Sequence, residues 1–233
     1  MTRTTNARIA GFTFLFYIAV AFPSMILFDR ATKGDGIAAQ LASMAQHASD
    51  VRVASVLSLF GCFSALVLAV TLFAITRDQD PDLAMLGLTF RVAEGVTGAV
   101  TIPATLGLLS VAMATGANAP EPAAVQGVGA FLLQQPPLTG APFFAVGSTL
   151  FAWLLLRGRM IPIPLAWLGV VGSVLVTVGL PLQLAGVLHG PVTQWMWLPL
   201  AGFEIPLGFW LMIKGVAPSR LSTSPLENRE KRE

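Results

Sequence analysis

Apolar residues run along this chain in long stretches, and each stretch is closed by a short polar segment. Six such stretches can be read, at about 9–28, 53–76, 85–113, 139–156, 163–188 and 195–213. A run of roughly 18 or more mainly apolar residues is the mark of a helix that crosses a bilayer. The pattern therefore predicts an all-α integral membrane bundle of six transmembrane helices occupying residues 1–215. Between the first two spans, the middle of DRATKGDGIAAQLASMAQHASD predicts a short surface helix. The charged turn RDQDPD separates the second and third spans. After the third come a Gly/Pro/Asn-rich breaker, TGANAPEP, and then AAVQGVGAFLLQQ, which suits an interfacial helix. Pro136 and Pro137 precede the fourth span, RGRMIPIP follows it, and the short loop HGPVTQ joins the last two. Residues 216–233 are polar and charged with too few apolar residues to pack, so a disordered cytoplasmic tail is expected.

The N-terminal stretch, MTRTTNARIAGFTFLFYIAVAFPSMILF, has the basic start of a signal peptide. Its apolar run is longer than the ~7–15 residues of a signal core and no small-residue cleavage site follows closely. It reads as a retained first helix.

Composition agrees with the pattern. Hydrophobic residues make up 55% of the 233 positions and charged residues 11%, with a mean hydropathy of +0.73. A soluble domain carries about 25% charged residues. The net charge of +2 does not call for nucleic acid, because the basic residues cluster at the ends of the apolar runs. Arg3, Arg8, Arg77, Arg157, Arg159, Lys214, Arg220, Arg229, Lys231 and Arg232 fall on one side of the expected topology; Arg30, Lys33 and Arg52 fall on the other. The rule that basic loops stay inside then puts both termini in the cytoplasm. Trp195 and Trp197 fall at the outer end of the sixth span, as an interfacial anchor would. The single cysteine, Cys62, excludes an internal disulfide and a cysteine-rich metal site.

Every span but the second holds proline: Pro23, Pro103, Pro142, Pro181, and both Pro199 and Pro206. Small residues one turn apart (Ser58 and Cys62, Gly61 and Ala65, Gly95 and Ala99, Gly169 and Ser173) predict close helix contacts.

Only three charges lie clearly within the spans: Arg91 and Glu94 in LTFRVAEGVTGAV, and Glu204 in LAGFEIPLGFWLMIKG. Each costs on the order of 2.5–3.5 kcal/mol at the bilayer centre, so the side chains should face the bundle interior. A rise of about 1.5 Å per residue puts Arg91 roughly 9 Å in from Met85, and Glu94 and Glu204 each roughly 13 Å in from their nearer ends. Arg91 and Glu94 share a face at i, i+3 spacing. Together the three can form a buried ionic cluster tying the third span to the sixth. Such a cluster can be structural, fixing which helix faces which, or it can be a ligand, substrate or proton site.

Other chemistry is sparse. His47, Asp50, Asp29, Asp35 and His189 belong to the outer loops without a metal-ligand spacing, and they read as solvated residues. There is no HExxH, GxSxG or phosphate-binding glycine loop. No metal, cofactor or catalytic residue is expected, and enzymatic chemistry has no sequence support. The two halves of three spans show no convincing residue match beyond a mid-membrane Glu in the third helix of each.

NARIAGFTFLFYIAV, FRVAEG, LLLRGRMIPIPLAWLGVVG and GFEIPLGFWLMIKG occur in that order. Together they resemble the bacterial family of polytopic membrane proteins known as domain-of-unknown-function family 4386, over roughly residues 6–215. The resemblance implies about six helices in the bacterial cytoplasmic (inner) membrane, with Arg8, Arg91, Glu94 and Glu204 at the family's recurrent charged positions. The chain departs from the family in carrying QQPPLTGAPFF where relatives have a histidine-containing segment. The functional expectation is a non-enzymatic bundle binding a small molecule, lipid or partner subunit, alone or as a homo-oligomer or part of a larger membrane complex. The alternative is a proton-coupled transporter using the mid-membrane glutamates.

Overall fold

The computed structural model describes residues 1–114, 120–134 and 139–217, and among these the chain is all-α, without strands. The helices are α1 (Arg3–Ala31), α2 (Ile37–Gln46), α3 (Ala48–Thr76), α4 (Pro81–Ala112), α5 (Pro122–Gln134), α6 (Ala141–Arg157), α7 (Ile163–Leu184), α8 (Val192–Trp195) and α9 (Leu198–Ile213). Residues 115–119 of the expected breaker, the proline pair at 136–137, residues 135–138 of the segment that departs from the family, and the expected disordered tail from 218 onward lie outside the described residues.

Local chemistry sets the helix ends. The Thr2 hydroxyl accepts the Thr5 amide at 3.1 Å and caps α1. Asp80 caps α4 by accepting the Leu83 amide at 3.2 Å, with Pro81 in the first helical position where its missing N–H costs nothing. At the end of α7, Gly186 turns left-handed (φ 70°) while Val187 N–H returns to Leu182 and Gly186 N–H to Gln183. This is the glycine-ended turn that satisfies the last carbonyls of a helix.

Among the described residues, five segments are long and apolar enough to cross a membrane: α1, α3, α4, α7 and Val192–Ile213, which joins α8 to α9. α6 is apolar but has 17 residues. Helices form at both places where the sequence suggested short ones, as α2 and α5. The spans differ from the sequence reading at their ends. α3 starts at Ala48 rather than near 53, α7 stops at Leu184 rather than near 188, and the last span is interrupted at Met196–Trp197.

α7 shows why this is a membrane protein rather than a large soluble bundle. Its buried positions are mostly small (Ala166, Gly169, Gly172, Ser173, Gly179), while Trp167, Val171, Leu175, Val178 and Leu182 are exposed. In water, bulky apolar side chains would be the buried ones. In lipid they face outward at no cost, and small residues let backbones approach. This is the make-up of a multi-pass membrane protein.

The chain divides into two compact units. The first comprises Met1–Leu15, Leu66–Ala93 and the chain from Ala141 onward. Here α7 packs against both α6 and α9. A Cβ on Gly172 would lie 2.9 Å from the Leu200 amide nitrogen, and one on Gly169 would lie 2.6 Å from the Phe203 ring. α1 meets α9 as closely: a Cβ on Gly11 would overlap the Met212 amide and lie 2.6 Å from the Gly208 carbonyl oxygen.

The second unit comprises Phe16–Ala65 and Glu94–Gly140. α2 packs on α5 around a core of Leu41, Met44, Val51, Leu108 and Leu109. The Ser24 hydroxyl donates to the Ala54 carbonyl and also lies 2.9 Å from the Ser58 hydroxyl, joining α1 to α3. Cys62 packs over Gly98, whose Cβ would come within 3.2 Å of its sulfur.

Candidate functional site

Arg91 has the largest fully buried side chain among the described residues, at 1% exposure. The first unit accommodates it with two features of α6. The first is Gly147, whose missing side chain leaves a groove for the arginine stem: a Cβ there would lie 2.9 Å from Arg91 Cγ and 3.0 Å from Cδ. The second is Phe144, whose ring centroid is 4.9 Å from the guanidinium carbon. A desolvated cation over an aromatic face gains on the order of 2 kcal/mol. Phe144 is itself backed by Trp197, with ring centroids 6.1 Å apart. The spacing of Phe144 and Gly147, three residues apart on one helix, places both under Arg91.

Arg91 and Glu204 line the same cavity, with Ser148 as a third polar residue and Phe14, Leu72 and Phe203 among its apolar walls. Its volume is about 10 Å³, the scale at which a single water is held. Glu204 is 7% exposed. It stands on α9 two residues before the proline inside that helix, Pro206. Two of the three expected charges are thus brought to one small chamber by helices far apart in sequence.

Glu94 belongs to the second unit and is also 7% exposed. There the Tyr17 hydroxyl, from α1, donates to its Oε1 at 3.2 Å. Gly140 approaches the same residue from another segment, with a Cβ position 3.7 Å from Glu94 Cγ.

Tyr17, Phe144, Gly147 and Ser148 were not singled out by the sequence. Tyr17 carries a signal that could have found it, since it is the chain's only tyrosine, sits in an apolar span and brings a hydroxyl that needs a partner there. The others carry none, because a Phe, a Gly and a Ser in an apolar helix are ordinary. Of the residues the sequence reading assigned to outer loops, His47 has its Nδ1 2.9 Å from the Ser43 carbonyl oxygen, and Asp50 pairs with Arg30 at 3.8 Å. Among the described residues no three His, Cys, Asp or Glu side chains are grouped to hold a metal ion.

Chemically, the chamber joins a fixed cation, a carboxyl and a hydroxyl in apolar surroundings. It can hold a water or a small polar group by charge-assisted hydrogen bonds. At its present size it has no room for a larger molecule.

No curated protein and no solved structure matches the chain. Residues 9–215 match the family described as Domain of unknown function (DUF4386). That span contains Arg91, Glu94 and Glu204 and nearly all of the described helices. The chain therefore belongs to the DUF4386 family of proteins.

Proposed function

We propose that this protein is a non-enzymatic membrane bundle that binds a small molecule, lipid or partner subunit, with Arg91 and Glu204 as the buried polar element of its site. We read it as a six-span protein of the bacterial inner membrane with both termini cytoplasmic. The 17 residues of α6 rise about 25 Å, close to the roughly 30 Å of a hydrocarbon core, which supports counting it as a span. The inside-positive distribution of Lys and Arg supports the orientation.

The observation that carries the binding reading is the chamber itself: a fully buried arginine and a buried glutamate on the wall of one apolar, water-sized space. A ligand that uses this pair must present a small polar group there and open the chamber to admit the rest of itself. Native mass spectrometry of the protein extracted gently from its own membrane tests this. A single co-purifying molecule at near one-to-one ratio is expected, and Arg91→Met should reduce it. An empty protein, or a ligand retained in full by Arg91→Met, would refute the assignment to this chamber.

A second reading, a proton-coupled transporter, is favoured by one observation. Glu94 and Glu204 are both more than nine-tenths buried, and Glu94 takes a hydroxyl hydrogen bond that would change with its protonation. Proton flux in liposomes that is abolished by Glu94→Gln and by Glu204→Gln would favour this reading over simple binding.

A further inference from the structure

Ser148 lines the same chamber as Arg91 and Glu204 and stands near the middle of α6 (Ala141–Arg157). A serine or threonine inside a helix can return its hydroxyl to the carbonyl one turn back, as Ser64, Thr71, Thr149 and Ser173 do here. The Ser148 hydroxyl makes no such bond, and it has no hydrogen-bond partner among the described residues. Of the described residues that line the chamber, Ser148 is also the only one that is not buried. The rest of the wall, with Phe14, Phe151 and Phe203 in it, is buried throughout. The chamber therefore has its edge at Ser148. With α6 read as a span, that edge lies at mid-depth of the bilayer, away from either aqueous surface.

The three polar groups select a particular guest. Arg91 offers donors only, Ser148 offers a donor and acceptor sites, and the Glu204 carboxyl has acceptor oxygens. A hydroxyl suits all three, because its oxygen accepts from Arg91 and Ser148 while its proton goes to Glu204. A ketone or ether oxygen can accept, but it offers Glu204 nothing. Charge selects in the same direction. A carboxylate guest would set a second acid against Glu204, and an ammonium a second cation against Arg91, in surroundings too apolar to screen either. A neutral hydroxyl adds no charge, and its single oxygen matches a space of about 10 Å³, the size of one water.

We propose, on the reading of this chamber as the ligand site, that it binds the hydroxyl of a membrane-soluble long-chain alcohol entering from the bilayer past Ser148. The hydroxyl seats among Arg91, Ser148 and Glu204. The hydrocarbon chain follows it and opens the chamber at the Ser148 edge, where the least buried wall has to move. A phospholipid headgroup, held at the membrane surface, does not reach that depth.

Photolabelling of the full-length protein in nanodiscs tests this. The probes are dodecanol, dodecanoic acid and dodecylamine, each carrying a diazirine on its chain, with labelled peptides mapped by mass spectrometry. The alcohol probe should label the segments holding Ser148, Phe151 or Phe203 in preference to the other two, and unlabelled dodecanol should compete where dodecane does not. Ser148→Ala should weaken that competition about three- to ten-fold, the loss of one hydrogen bond. Its melting temperature should not change, because no described residue bonds to that hydroxyl. Ser110→Ala removes an exposed hydroxyl in the other unit and should alter nothing. Labelling of these segments by the acid or amine probe as strong as by the alcohol, or competition unchanged in Ser148→Ala, would overturn the alcohol class and leave the chamber a ligand site. Labelling by none of the three probes, or dodecane competing as well as dodecanol, would overturn the binding reading along with it.

Discussion

If Arg91 and Glu204 are energetically coupled across their chamber, then removing both should cost less than removing Arg91 alone. Arg91→Met keeps much of the stem that lies over Gly147 and removes the guanidinium held against Phe144. Glu204 would then face an apolar chamber of about 10 Å³ without that cation. Removing one member of a buried charge pair costs about 3–5 kcal/mol, because the other is left uncompensated. For a chain of this size, about 2–4 °C per kcal/mol makes that a fall of roughly 6–20 °C in Tm. Glu204→Gln keeps the shape and a hydrogen-bonding amide, so it should cost about 1–3 kcal/mol. In the double variant no carboxyl is stranded in the chamber, so Glu204→Gln should restore part of what Arg91→Met loses. Thermal unfolding of all four proteins in one detergent, followed by tryptophan fluorescence and size exclusion, measures this. Losses that add to within about 0.5 kcal/mol would refute the coupling. A negligible effect of Arg91→Met alone would refute any energetic role for the buried cation.

Two further outcomes check the packing and the second carboxylate. Gly11→Ala should lower the melting temperature, because the new methyl meets backbone at Gly208 and Met212 and the overpacking cost of about 1–3 kcal/mol exceeds the helix-propensity gain. Gly107→Ala, where nothing lies within 4 Å, should leave stability unchanged or raise it by up to about 1 kcal/mol, and the same sign at both sites would contradict the packing argument. Tyr17→Phe should cost about 0.5–1.5 kcal/mol, since it removes a donor to a buried carboxylate while keeping the ring; a variant as stable as the parent would mean the 3.2 Å contact contributes nothing.

Sequence alone determined the solvent of this protein and the location of its helices. Uninterrupted apolar runs with so few charges are affordable only in lipid, and this constraint is strong enough to be read one residue at a time. It also identified Arg91, Glu94 and Glu204 as residues that must face inward, because each would be costly in hydrocarbon. Helix ends were less legible. The polar residues that start α3 at Ala48 are as compatible with a loop as with a helix, and only packing around Leu41, Met44 and Val51 settles them. The tertiary structure decided which helices meet. In lipid the apolar faces are interchangeable, so contacts depend on where small residues admit a neighbour's backbone or side chain. Gly147 receives Arg91, Gly172 receives the start of α9, and Gly11 and Gly208 let α1 and α9 touch. The chamber lined by Arg91 and Glu204 follows from those approaches, since the partners lie 113 positions apart and their meeting is a property of how α4, α6 and α9 pack.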